Sequence, residues 1–299
     1  MIELEKGFLT GSYPPLVTPF RDGDVDYDRY ARLVEFQVEH GSHGIVVCGT
    51  TGEPGVLTTE ERERLLETAV DAAAGRLPVV AATGSQSFVE TARLTEHASR
   101  ASADAVLVVT PYYSRPPQRG LVTYFTRLAE RCDLPMLLYH IPGRAAVSVE
   151  LATIEQIAEA VPHFVGMKHA ATDLGLVSDC IDLFGAGFRI FVGLEELSLP
   201  MMALGACGMV NAVGNVAPAK VVGLADAMRE GDLQAARRLH YELLPLNRAV
   251  FWDTNPIPIK YLMRRLGLLE VNEHRLPMVP STPELEEQLD KLAIEARLG

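Results

Sequence analysis

"LPMLLYHIPGRAAVSVELATIEQIAEAVPHFVGMK", residues 134–168, holds the pattern on which the fold turns. Two apolar runs, "LPMLLYHIP" (134–142) and "HFVGMK" (163–168), flank a stretch of helical patterning. Neither run alternates apolar with polar residues, as a strand with one wet face would. They read as strands buried on both faces. Two such strands joined through a helix are the unit of a parallel sheet.

The unit recurs along the chain. "YPPLVT" (13–18), "GIVVCG" (44–49), "LPVVAATG" (77–84) and "DAVLVVT" (104–110) precede it, and "FRIFVG" (188–193) and "CGMVNAVG" (207–214) follow, giving eight runs. Amphipathic segments such as "DYDRYARLVEFQVEHG" and "TTEERERLLETAVDAAAG" lie between them. The second has Thr58 or Thr59 as N-cap, acids in its first turn and a stop at Gly75. Eight βα alternations predict a closed (β/α)8 TIM barrel over residues 1–230, rather than an open doubly wound sheet. Residues 231–299 hold no further strand run. "DLQAARRLHYELLPLNRAVF", "PIPIKYLMRRLGL" and "TPELEEQLDKLAIEARL" predict a C-terminal helical appendage with Pro-rich joints.

Composition narrows the function. The chain has 299 residues, 48% hydrophobic and 22% charged, with a formal net charge of −12. That balance argues against a nucleic-acid surface or a polybasic membrane anchor, and leaves room for a small anionic substrate at a local positive site. No apolar segment approaches transmembrane length. "MIELEKGFLTGSYPPL" has acidic residues and no apolar signal core, so the reading is of a soluble, cytoplasmic protein. Cys48, Cys132, Cys180 and Cys207 are scattered without a CxxC pair, which suggests neither a zinc site nor a disulfide framework.

In such barrels the chemistry sits at the C-terminal strand ends. The second run ends in Thr50, Thr51 and Gly52, the fourth in Thr110, Tyr112 and Tyr113, the fifth in Tyr139, His140 and Arg144, and the sixth in Lys168. A lysine closing a strand ordinarily lays its stem on apolar surface and lifts its head into water. Tyr139 and Lys168 lie 29 residues apart, about one βα unit, so matching register would set them side by side facing the barrel interior. In a water-poor pocket an amine loses its proton more readily and attacks a carbonyl to form a Schiff base. A phenol beside it can give and take protons. Two threonines at a turn suit a carboxylate and a proton relay. Together these groups fit imine-forming carbon–carbon lyase chemistry on a 2-keto acid. A pyridoxal-phosphate enzyme would need a phosphate loop and a partner for the ring nitrogen, and neither has a convincing candidate. A ligand-sensing barrel without turnover would not need the full set of catalytic groups.

"GTTGE" (49–53), "VTPYYSRP" (109–116), "LLYHIPGR" (137–144), "GMKHA" (166–170) and "NPIPIK" (255–260) occur in one order and spacing. Over nearly its whole length the chain thereby resembles the dihydrodipicolinate synthase / N-acetylneuraminate lyase family of pyruvate-dependent class I aldolases. The resemblance implies that Lys168 is the Schiff-base lysine and Tyr139 the proton-transferring tyrosine. It implies that Thr51 relays protons between Tyr139 and Tyr113, the latter supplied by a neighbouring subunit. Thr50 and Thr51 would hold the pyruvate carboxylate, with Val210 in the substrate-binding set. Arg144 would hold the carboxylate of the second substrate, which favours the synthase branch and aspartate semialdehyde as acceptor. No metal or organic cofactor is implied, and the expected assembly is a homotetramer, a dimer of dimers.

The chain also departs from the synthase pattern. It has His140 where Asn is usual, Ala145 where Thr is usual and His169 where Glu is usual. These changes are expected near the second-substrate pocket, which leaves open a related aldolase or hydratase-aldolase acting on a sugar acid or an aromatic-degradation intermediate. The lysine-feedback site of regulated synthases is incomplete: Thr59 and Arg62 replace two histidines and Gln86 an asparagine, while Glu90 and Tyr112 remain.

Overall fold

A computed structural model describes residues 1–298. Its main sheet has eight parallel strands, each placed on one of the expected runs or at its edge. They are β1 (Gly11–Ser12), β2 (Ile45–Val47), β3 (Val79–Ala82), β4 (Ala105–Val109), β5 (Met136–His140), β6 (Phe164–His169), β7 (Arg189–Val192) and β8 (Gly208–Met209). Neighbours follow chain order from β2 to β8, and β8 pairs with β1. A parallel bridge between Pro15 and Val46 joins the two ends of the sheet and rounds it into a barrel.

The first run departs from expectation in a way that proline explains. The regular strand is Gly11–Ser12, ahead of "YPPLVT". Pro14 and Pro15 have no N–H to give a ladder. The chain instead changes partners there: Tyr13 N donates to Met209 O, then Pro14 O accepts from Val46 N and Leu16 N donates to Val46 O. A two-stranded hairpin, Phe20–Arg21 with Asp24–Val25, follows outside the barrel. At the other end, β8 spans two residues, and Ala212–Asn215 winds into a 3-10 turn.

Helices α1 (Tyr27–Glu39), α2 (Thr59–Ala73), α3 (Phe88–Arg100), α4 (Gln118–Ala129), α5 (Leu151–Ala160), α6 (Leu174–Phe184), α7 (Ser198–Ala203) and α8 (Pro218–Glu230) separate and follow the strands. Helix α2 begins at Thr58, whose side chain accepts from Glu61 N while the Glu61 carboxylate accepts from Thr58 N, a reciprocal capping box. Its last turn closes on Ala74 as C-cap, and Gly75 follows at φ 71° as the expected C′ residue. Helix α8 ends at Gly231, φ 79°. Beyond it lie α9 (Leu233–Ala249), α10 (Ile257–Arg265) and α11 (Pro283–Glu295).

Strand alternation sorts side chains into two layers. Val46, Val80, Leu107, Leu137, Tyr139 and Phe191 point into the barrel. Leu138, Met167, Ile190 and Val192 point outward to the helices. Register across β5 and β6 pairs Tyr139 with Lys168 and His140 with His169, so the first pair lies inside and the second outside. Gly166 lets β6 lie close against β7, since a Cβ there would stand 2.0 Å from Arg189 O.

Candidate active site

A cavity of about 530 Å³ opens at the C-terminal ends of the strands, lined among others by Thr50, Glu53, Tyr112, Tyr139, Arg144 and Asn255. Each element brings its side chain for a local reason. Past β2 the backbone tightens at once into the 3-10 turn Thr50–Gly52, which lifts Thr50 to the cavity and turns Thr51 into the interior. Past β5, Pro142 opens the helical turn Pro142–Ala145, which sets Arg144 at the mouth. Tyr139 and Lys168 stay in the strands themselves.

Lys168 Nζ lies 4.2 Å from the centre of the Tyr139 ring, and the lysine is 4% exposed. The chain buries a second lysine, Lys260, and the two differ in their partners. Lys260 Nζ donates to Glu53 Oε1 at 2.9 Å, both side chains being buried. Burial pulls the Lys260 amine below its ordinary range, and the Glu53 charge opposes that pull. Among the described residues, Lys168 has no such ion pair. An amine not bound to a carboxylate is the one free to attack a carbonyl as a nucleophile. Gly193 makes room for it, because a Cβ there would meet Lys168 Cε at 2.8 Å.

The Tyr139 hydroxyl lies 3.3 Å from Thr50 Oγ1. The contact with Tyr139 expected of Thr51 is made instead by Thr50. Thr51 faces the other way within its turn, and its Oγ1 accepts from Asn255 Nδ2 at 3.0 Å. Val210 is buried in the interior layer with Tyr139, and its N–H donates to Val192 O. Tyr113 does not line the cavity of its own chain. It is 88% exposed at φ 71°, while its neighbour Tyr112 lines the wall.

His140 and His169, expected near a second-substrate pocket, do not line the cavity. They follow inward-facing residues on their strands and so point outward, Nδ1 to Nδ1 at 3.1 Å, both buried. Burial, reinforced by the neighbouring His169, lowers His140 to about 4; burial lowers His169 too, against the pull of Asp173. Ala145, by contrast, does line the cavity. Arg62 is spent inside the protein: its guanidinium meets Glu90 at 3.3 Å and donates to the carbonyls of Ala82 and Gly84. Ser85 donates to the other Glu90 oxygen at 2.6 Å.

Four groups near the site carried no individual role in the sequence. Asn255 and Lys260 come from α10 and the residue before its cap, within the "NPIPIK" motif, and Glu53 closes "GTTGE". Glu195 had no motif to mark it. Its carboxylate accepts from Ala212 N at 2.8 Å, bridging the loops after β7 and β8. Burial raises this carboxyl above its usual range, and the backbone N–H groups and the Lys168 charge pull it back.

Comparison with known proteins agrees across the whole chain. Residues 8–296 match the model of the dihydrodipicolinate synthetase family. A 4-hydroxy-tetrahydrodipicolinate synthase of Thermus thermophilus is 47% identical over 284 residues, covering 95% of each chain. The crystal structure of dihydrodipicolinate synthase from Aquifex aeolicus superposes with a TM-score of 0.95 at 41% identity, covering 97% of this chain and 98% of that one. That of a chloride-inhibited dihydrodipicolinate synthase from Acinetobacter baumannii, complexed with pyruvate, superposes at 0.94 with 34% identity, covering 97% and 100%.

Proposed function

This chain belongs to the dihydrodipicolinate synthetase family, and from that premise we propose the reaction it performs: a Schiff-base-forming lyase condenses pyruvate with L-aspartate 4-semialdehyde to give 4-hydroxy-tetrahydrodipicolinate. Lys168 attacks the keto carbon of pyruvate, and loss of water leaves an imine. Removal of a methyl proton converts the imine to an enamine, whose carbon adds to the aldehyde. The acceptor's amine then closes the ring and displaces Lys168.

Tyr139 and Thr50 move the protons in this scheme, and the 3.3 Å contact of their hydroxyls supports that pairing. Thr50 and Thr51 hold the pyruvate carboxylate, with Val210 packing the same end. Arg144 grips the carboxylate of the acceptor, for which its planar fork is suited. Tyr113 completes the relay from a neighbouring subunit in a homotetramer; its exposure on its own chain supports this role. Residues 1–230 form the catalytic barrel, and 231–299, of which Gly299 lies outside the described residues, an appendage that reaches back to it. No helix among the described residues is long and apolar enough to cross a membrane, and we place the protein in the cytoplasm.

The observation that carries the reading is the inward register of Tyr139 beside an unpaired, buried Lys168. Borohydride in the presence of pyruvate should leave a stable adduct on Lys168, located by peptide mass mapping, and Lys168→Arg should abolish it. An adduct elsewhere, or none, overturns the mechanism.

A further inference from the structure

One segment of the appendage grips the Thr50–Gly52 turn at two points. Asn255 Nδ2 donates to Thr51 Oγ1 at 3.0 Å, with both side chains buried. Five residues on, Lys260 Nζ donates to Glu53 Oε1 at 2.9 Å, two residues past Thr51. The turn that carries both threonines is thus held by contacts more than 200 residues away in sequence.

The direction of the first contact matters. A hydroxyl has one hydrogen and two lone pairs. An amide N–H occupies a lone pair of Thr51 Oγ1 and cannot accept the hydroxyl hydrogen. Among the described residues no protein acceptor takes that hydrogen. A carboxylate accepts hydrogen bonds and donates none, so a substrate carboxylate needs Thr51 in the donor orientation.

We propose that Asn255 is a positioning residue for substrate binding: it holds the Thr51 hydroxyl as a hydrogen-bond donor toward the pyruvate carboxylate. This rests on the reading of Thr51 as a carboxylate-holding residue. The Lys260–Glu53 ion pair supports it by fixing the far end of the same turn and the segment from which Asn255 comes.

The experiment measures borohydride trapping on Lys168 against pyruvate concentration. Asn255→Asp has the same shape but presents an acceptor, which takes the Thr51 hydrogen away from substrate. Asn255→Ala only releases the hydroxyl. The half-saturating pyruvate concentration should rise in the order parent, Asn255→Ala, Asn255→Asp. The last change should be about tenfold or more, as for losing one hydrogen bond to a charged group. Trapping at saturating pyruvate should match the parent. In a Thr51→Val background, Asn255→Ala should add no further rise, since the group it orients is gone.

The proposal is overturned by an unchanged pyruvate dependence, by an equal rise in the Thr51→Val background, or by losses of maximal trapping and thermal midpoint in step with half-saturation. Thr51→Val without effect on half-saturation would remove the reading of Thr51 itself, a separate result. If Asn255→Ala does not fold, Asn255→Ser gives the same comparison with a shorter side chain.

Discussion

Substitution of Gly193 by alanine should disable the lysine while leaving the barrel folded. Gly193 follows β7, and its N–H donates to His169 O at 2.8 Å, which sets it alongside Lys168 and Ala170. A Cβ at this position would stand 2.8 Å from Lys168 Cε, 2.8 Å from Ala170 Cβ and 3.2 Å from Ala170 Cα. Unstrained carbon contacts lie at about 3.5–4.0 Å, so the shortfall is roughly 0.7 Å or more on two sides. Ala170 Cβ is fixed to its backbone and cannot yield unless the chain moves. Lys168 Cε sits on a flexible stem, so the lysine yields. A misplacement on the order of 1 Å at a reacting group costs about 10²-fold in rate. Imine formation, followed by borohydride quenching at timed intervals, should therefore slow by about 100-fold in Gly193→Ala. Stability should fall by only about 1–3 kcal/mol, the usual range for an overpacked core. Adding Ala170→Gly removes one of the two contacts and should restore part of the rate. If Gly193→Ala traps pyruvate at the parent rate, the space beside Lys168 is not what Gly193 provides.

Four other outcomes follow from the same structure. Lys260→Met leaves the buried Glu53 carboxylate with His274, 3.5 Å from its other oxygen, in place of a permanent cation, and should destabilise by about 3–5 kcal/mol in denaturant titration; adding Glu53→Gln should recover most of that, and no recovery would mean the loss is one of packing. His140 is lowered by burial to about 4 from an ordinary value near 6.5, so the unfolded chain binds more protons between those values and stability should fall as pH drops through that window, by on the order of 3 kcal/mol; His140→Asn should flatten the slope, and an unchanged slope would assign it elsewhere. Arg144→Leu should cost about 2–4 kcal/mol in the specificity constant for aspartate semialdehyde and spare pyruvate trapping, whereas equal loss with an uncharged aldehyde defeats the carboxylate clamp. Lysine should inhibit weakly, because the Glu90 carboxylate that would receive an ammonium is already held by Arg62 and Ser85; strong inhibition at sub-millimolar lysine would contradict this.

Much of this was legible in the residues. Eight unalternating apolar runs at βα spacing required a two-sided parallel sheet, because only strands covered on both faces can be apolar throughout. Equivalent positions one repeat apart set Tyr139 beside Lys168, since register in parallel strands repeats with the unit. The N-cap, narrowed in the residues to Thr58 or Thr59, is equally local; the structure puts it at Thr58 and closes it with Glu61 within one turn of helix. Where the local reading slipped, a competing local constraint was responsible: Pro14 and Pro15 could not ladder, so the first strand closed early and handed its pairing to β2.

The tertiary structure decided the facing of residues near strand ends and the contacts between distant segments. "YH" and "KH" do not state which residue points inward until the strand phase is set, and that phase sends His140 and His169 away from the cavity. "GTTGE" does not state which threonine meets Tyr139; the 3-10 turn gives that contact to Thr50 and turns Thr51 to Asn255. The pairings Asn255–Thr51, Lys260–Glu53 and Glu195–Ala212 join elements whose meeting follows from closure of the barrel and docking of the appendage. Periodicity records what a residue does every turn or every second position. Which of two neighbouring hydroxyls reaches a partner 204 residues away is set only when the chain has closed on itself.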